Sequence, residues 1–302
     1  MTEQRRGFVL GVAAYLIWGL FPLYWPLLEP AGALEILAHR VLWSVVTVLV
    51  LLIALRRSKQ LRAIIADRRR RSLLLVAAVV IAVNWGTYIW GVNNHRVVET
   101  SLGYFINPLV TVLMGVLILH ERLRRWQWAA IGIAGVAVVG LTVEYGHPPW
   151  IALVLALSFG TYGLAKKQAG VEAVESLAFE TLVLVPVAAA YLAWLGAHGD
   201  GHFTSDGVGH AVMLATSGVV TAVPLLCFGA AAIRIPMTTI GLLQYLTPVL
   251  QFVIGVALLH EQMTPMRWVG FVLVWLALSV FTVEALRHHR RQLALSAEAV
   301  AL

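Results

Sequence analysis

Hydrophobic residues along this chain fall into ten long runs separated by short polar breaks. Each run is roughly 20 residues, the length at which a helix crosses about 30 Å of hydrocarbon. The runs lie near 7–29, 33–55, 72–92, 98–119, 126–144, 149–167, 174–196, 209–232, 237–260 and 266–286. Connections such as His120 to Arg125 and Glu261 to Pro265 are so short that the helices they join must be antiparallel neighbours. The pattern therefore predicts an all-α polytopic membrane protein with ten transmembrane helices.

The runs also repeat. With a constant offset of 140, Asn107-Pro108 falls on Thr247-Pro248, Gly115 on Gly255, Leu119-His120-Glu121 on Leu259-His260-Glu261, and Thr142-Val143-Glu144 on Thr282-Val283-Glu284. The same offset pairs Glu35 with Glu175 and Arg40 with Glu180, and drifts to 144 where Trp18-Gly19-Leu20 meets Tyr162-Gly163-Leu164. Two copies of one unit follow, residues 1–148 and 149–286, with a short tail, 287–302, expected to fray. Each copy holds five spans, an odd number, so the second enters the membrane inverted relative to the first. Secondary transporters use this plan, with the substrate site near the midplane between the repeats.

Composition removes the soluble alternatives. The chain is 60% hydrophobic and 12% charged with a mean hydropathy of +0.83, whereas soluble domains carry about 25% charged residues. The single cysteine, Cys227, leaves no intramolecular disulfide framework. A pI near 9.9 suggests nucleic acid until the charges are placed. With the N-terminus inside, 19 of the 22 Lys and Arg fall on the cytoplasmic side, Arg96 and Arg267 fall outside, and Arg40 lies within a span. That split predicts cytoplasmic termini, and makes Arg68–Arg71 an anchor facing anionic lipid rather than a nucleic-acid patch. Arg5-Arg6 ahead of an apolar run is no export signal, because nine further spans follow it.

Candidate chemistry lies inside the spans. Thr100, Tyr104, Asn107 and Thr111 share one helical face of the fourth run, and Gln244, Thr247 and Gln251 occupy the matching positions of the ninth. Each stripe adjoins a proline, Pro108 or Pro248, that frees backbone groups from the helix ladder. Helix–helix hydrogen bonding is the plain reading of any one such residue; the duplication favours a lined cavity. Asn84, Trp85 and Tyr88 of the third run, and Trp18 with its repeat partner Tyr162, join this candidate pathway, as does Tyr245. Trp90 belongs to the interfacial aromatic belt, and Trp85 lies deep enough to stack on a substrate.

His39, Arg40 and Glu180 are candidate gating or ion-coupling residues, because ionisable side chains in a span mark function by default. A structural network of His39, Ser44 and backbone carbonyls is the alternative. Arg40 and Glu180 each lie seven residues into their run, and inversion sets them on opposite sides of the midplane, about 10 Å apart in depth. A direct salt bridge would need tilt or a water.

Catalytic readings fail. His120-Glu121 and His260-Glu261 begin like a zinc-protease motif, yet Arg124 and Thr264 stand where its second histidine belongs. Asp67, Asp200 and Asp206 all fall in loops, and there is no G-x-S-x-G or Walker motif. Neither cofactor nor metal is expected, and Glu121 and Glu261 are read as caps in the tight turns after spans four and nine.

Ala13-Ala14-Tyr15 with Trp18-Gly19, Glu35 with His39-Arg40 and Trp43-Ser44, Asn84-Trp85 with Asn93-Asn94, and Ser101-Leu102-Gly103-Tyr104-Phe105-Ile106-Asn107-Pro108 closely resemble the RarD-type permeases of the EamA family, in the drug/metabolite transporter superfamily. Val223-Pro224-Leu225-Leu226-Cys227-Phe228 and Gln244-Tyr245 extend the resemblance over nearly the whole chain. It implies a permease of the bacterial inner membrane with a central cavity lined by spans 1, 3, 4, 6, 8 and 9. Thr247 stands where the family is expected to carry a small residue, which implies a narrower cavity floor. The leading expectation is a secondary transporter exporting small metabolites, amino-acid-like molecules or drugs without ATP. The alternative is a non-transporting membrane scaffold or assembly partner. Expected partners are the substrate and the bilayer; a homodimer is compatible with this plan.

Overall fold

A computed structural model describes residues 3–119, 123–232, 234–235 and 243–301, and every regular element among them is helical. The long elements are α1 (Glu3–Gly19), α2 (Ala33–Ala54), α3 (Arg68–Asn93), α4 (Val97–Leu119), α5 (Arg125–Tyr145), α6 (Trp150–Ala169), α7 (Ala173–His198), α8 (Gly207–Ala232), α9 (Leu246–Val253) and α10 (Pro265–Ala301). Six described helices are long and apolar enough to cross a membrane, or seven if α1 and Phe21–Leu28, bent by 43°, form one span. Trp150–Lys166 and Leu246–Leu258 are shorter apolar helices. Helices satisfy most backbone polar groups within the segment, as lipid demands. On α2, Ile36, Arg40 and Ser44 are buried while Val46, Val50 and Ile53 face outward.

Three local features depart from the sequence pattern. The first run breaks at Leu20, because Pro22 and Pro26 lack the N–H groups that would continue the ladder; a 3-10 turn, Trp25–Leu28, completes it. A further helix, Ser58–Ala66, buries Leu61 and Ile64, and Asp67 ends it while capping α3 through the N–H groups of Arg69 and Arg70. The tail continues as helix: α10 runs on to Ala301, in keeping with its alanine, leucine and glutamate content. Of the ninth run, residues 236–242 lie outside the described residues, and the rest is α9 followed by a π-helical turn, Ile254–Leu258.

Helix packing follows the repeat. The pairs α3–α6 and α8–α1, α4–α6 and α9–α1, and α2–α8 and α7–α3 are all in contact, and each pair becomes the other when the two copies are exchanged. The contacts α2–α7, α4–α9 and α5–α10 map onto themselves. Close approach is set by small residues: a Cβ on Gly103 of α4 would sit 2.9 Å from the Ala152 carbonyl of α6, and one on Gly218 of α8 would collide with the Trp43 backbone of α2.

Candidate functional site

α2 and α7 each carry a buried charge at the same repeat position, Arg40 and Glu180. Arg40 of α2 is 3% exposed. Its Nε donates to Thr221 Oγ1 of α8 at 2.9 Å. The guanidinium carbon lies 4.0 Å from the centre of the Trp85 ring, 5.0 Å from that of Trp25 and 5.8 Å from that of Phe21. The rings offer cation–π attraction. Among the described residues no carboxylate pairs with Arg40, and no acceptor takes its terminal Nη donors.

Tyr88 and Tyr104 lie beside this group with ring centres 5.7 Å apart. The Tyr88 hydroxyl and the Trp25 indole N–H are buried without a hydrogen-bond partner among the described residues. Asn84, by contrast, is fully employed: its Nδ2 donates to the Leu155 carbonyl and to Ser158 Oγ, both at 3.0 Å, and its Oδ1 accepts from the Tyr104 hydroxyl at 3.3 Å. It joins α3, α4 and α6.

Glu180 of α7 is 1% exposed and has a complete shell. Oε1 accepts from Lys166 Nζ at 3.2 Å and Ser176 Oγ at 2.6 Å, and Oε2 accepts from the Tyr162 hydroxyl at 3.1 Å. Lys166 also donates to the Tyr162 oxygen at 2.9 Å. Every member belongs to the second copy. Arg40 and Glu180 do not pair; between their layers runs an aromatic series, Tyr88–Tyr104–Phe159–Tyr162, with ring centres 5.7, 6.2 and 6.0 Å apart.

A second matched pair flanks these layers. Glu35 accepts from the backbone N–H of His202 at 2.7 Å and meets its Nδ1 at 2.8 Å, while its repeat partner Glu175 accepts from Arg57 Nη1 at 3.1 Å. His39 stacks on Phe203 at 4.7 Å, its ring nitrogens buried without partners among the described residues.

The polar stripes of α4 and α9 are less unified. Thr247 donates to the Tyr15 carbonyl at 2.8 Å and Gln251 Nε2 to the Trp18 carbonyl at 3.2 Å, so both tie α9 to α1. Thr111 reaches Asn107 Oδ1 at 3.5 Å and is exposed. Gln244 is half-buried. Tyr245 packs on the apolar cluster of Phe105, Phe252 and Phe271, and Trp18 lies against Tyr15 and Phe228. Trp85 stacks on Arg40 rather than facing open space. Glu261 does cap, but across the repeat: its carboxylate accepts the N–H groups of Val97 and Val98 at the start of α4. Glu121 lies outside the described residues. Burial raises the Glu261 carboxyl above the ordinary carboxylate range, against the opposing pull of those two N–H groups and of His95 and Arg267.

Sequence reasoning missed Thr221, Ser176, Lys166, His202 and Phe203. Two were within reach, since Tyr162 and Lys166, and likewise Ser176 and Glu180, are four residues apart and so share a helix face.

The profile of the EamA-like transporter family matches residues 5–143 and again 149–283. The chain is 57% identical over 290 residues to "Protein RarD" of Streptomyces exfoliatus, covering 96% of this chain and 92% of that one. It is 41% identical to "Protein RarD" of Escherichia coli strain K12, covering 96% and 98%, and 43% identical to "Uncharacterized transporter PA0485" of Pseudomonas aeruginosa, covering 96% and 97%. A solved crystal structure at 16% identity superposes with a TM-score of 0.61 over 92% of this chain and 98% of its own, a likeness of fold alone.

Proposed function

The chain belongs to the EamA-like transporter family, and from its geometry we propose a secondary transporter that moves small metabolites, amino-acid-like compounds or drugs across the bacterial inner membrane by alternating access. Its ten spans form two inverted five-helix repeats, residues 1–148 and 149–286, with both termini cytoplasmic. The observation that carries this is the exchange of packing partners between the copies. If two similar halves of opposite orientation hold slightly different conformations, swapping those conformations moves an opening from one face to the other. Buried charges at matched positions supply two separate closing layers, Arg40 tied across the halves to Thr221 and Glu180 held within its own half. The duplicated match to the family profile supports the division into halves, and the concentration of Lys and Arg in alternate loops supports the orientation.

The test is uptake into liposomes holding the purified full-length chain, offered a panel of amino acids, small carboxylic acids and antibiotics with and without an imposed pH gradient. Accumulation or counterflow of at least one solute above empty liposomes is expected. Passive behaviour toward the whole panel, in vesicles where the protein is folded and correctly inserted, would return the chain to a scaffolding role.

A further inference from the structure

We propose that Arg40 is an anion receptor in the translocation pathway, and that the cargo is a small organic carboxylate whose headgroup docks on the free edge of its guanidinium. The inference deepens the transporter reading above and rests on it. Its first ground is imbalance. Arg40 is 3% exposed, yet its described partners are one hydroxyl, Thr221, and three aromatic rings, none of which carries a compensating charge. Its repeat counterpart, Glu180, is neutralised by Lys166 and takes two hydroxyl bonds besides. The same fold position thus has a finished shell in one copy and an unfinished one in the other. An unpaired charge at that depth is costly to retain, which points to a partner that comes and goes.

The second ground is shape. The Trp85 ring covers the guanidinium at 4.0 Å, and Nε is spent on Thr221. What remains is the Nη edge, a planar fork of N–H donors that matches the two oxygens of a carboxylate. The third ground is the sign of the neighbouring groups. The Trp25 indole N–H, which can only donate, and the Tyr88 hydroxyl are both buried without a partner among the described residues. A site with surplus donors calls for an acceptor, and a carboxylate supplies acceptors together with the missing negative charge. The rings of Phe21, Trp25 and Tyr104 favour a cargo whose remainder is apolar or planar rather than a bare inorganic ion.

The experiment separates this claim from transport itself by reading binding. Purified wild-type chain is titrated with phenylacetate, benzoate and acetate, each beside its primary amide, and the thermal midpoint and tryptophan emission are followed. At least one aromatic carboxylate should raise the midpoint and perturb emission while its amide does neither. In Arg40→Gln the apparent affinity should fall about tenfold or more, with Arg40→Lys falling between, since Lys keeps the charge but loses the fork. The acid–amide comparison uses the wild-type chain, so it stands even if a variant folds poorly. Equal effects of acid and amide, no effect of any carboxylate up to about 10 mM, or undiminished affinity in a folded Arg40→Gln would overturn the proposal. In those cases, Arg40-independent uptake of a neutral solute would leave the transporter reading standing. Carboxylate binding without flux would instead remove transport and keep the receptor.

Discussion

Arg40 and Glu180 occupy the same place in two copies of one unit, and they solve the problem of a buried charge in opposite ways. Glu180 is neutralised within its own copy by Lys166, Tyr162 and Ser176. Arg40 reaches into the other copy for Thr221 and otherwise leans on aromatic faces. A complete ion pair with its lone pairs filled is a lock, stable until something supplies an alternative. An incomplete one is a receptor. The two copies are thus chemically asymmetric at this position, and on the transporter reading proposed above that asymmetry would give the two closing layers different triggers.

Stability should expose the contrast most strongly. Glu180→Gln leaves Lys166 as an uncompensated cation, and because Lys166 is 22% exposed the loss should be about 2 kcal/mol rather than the larger cost of a fully buried orphan. Arg40→Met removes a charge that has no ionic partner, so its stability in detergent should lie within about 1 kcal/mol of wild type or above it. Exchanging the two, Arg40→Glu with Glu180→Arg, should not recover the loss, since neither residue touches the other. Recovery would mean that they form one central pair and would abolish the distinction.

A weaker effect should come from Glu261, the carboxylate that one copy lends to the start of α4 in the other. Its folded-state pKa is raised by burial, so the folded chain holds that proton more tightly than the unfolded one. The contribution is therefore fully present below the ordinary carboxylate range and is lost as pH rises through the raised value. Midpoint against pH should fall on that limb, and Glu261→Gln should flatten it. An unchanged profile would show that the cap does not titrate there.

Much of this architecture was legible because lipid forces backbone pairing into helices. The predicted 33–55 run became Ala33–Ala54 and the predicted 98–119 run became Val97–Leu119. The fixed offset of 140 also matches Arg40 with Glu180. What could not be read was which partner each charge takes. Lys166 counted only as a positive-inside residue, yet its long side chain reaches back to Glu180. Thr221 lies on a different helix of the other copy, and no spacing along the chain links it to Arg40. The stripe predicted on the ninth run is divided: Gln244 precedes α9, and Thr247 and Gln251 donate to α1 carbonyls, a use that periodicity cannot distinguish from lining a cavity.

The most direct test of two separate closing layers is side-specific labelling. A cysteine at Thr111, exposed on the α4 stripe, is introduced into a Cys227→Ser chain, and its reaction with a membrane-impermeant maleimide is measured from each side of oriented vesicles. Loss of the Glu180 shell should release α7 from Tyr162 and Lys166 of α6 and raise labelling from the cytoplasmic side. Loss of the Arg40–Thr221 tie should loosen α2 from α8 and raise labelling from the periplasmic side. Opposite shifts in Glu180→Gln and Arg40→Gln are the predicted result; shifts in the same direction would contradict the account and leave the two charges as parts of one gate.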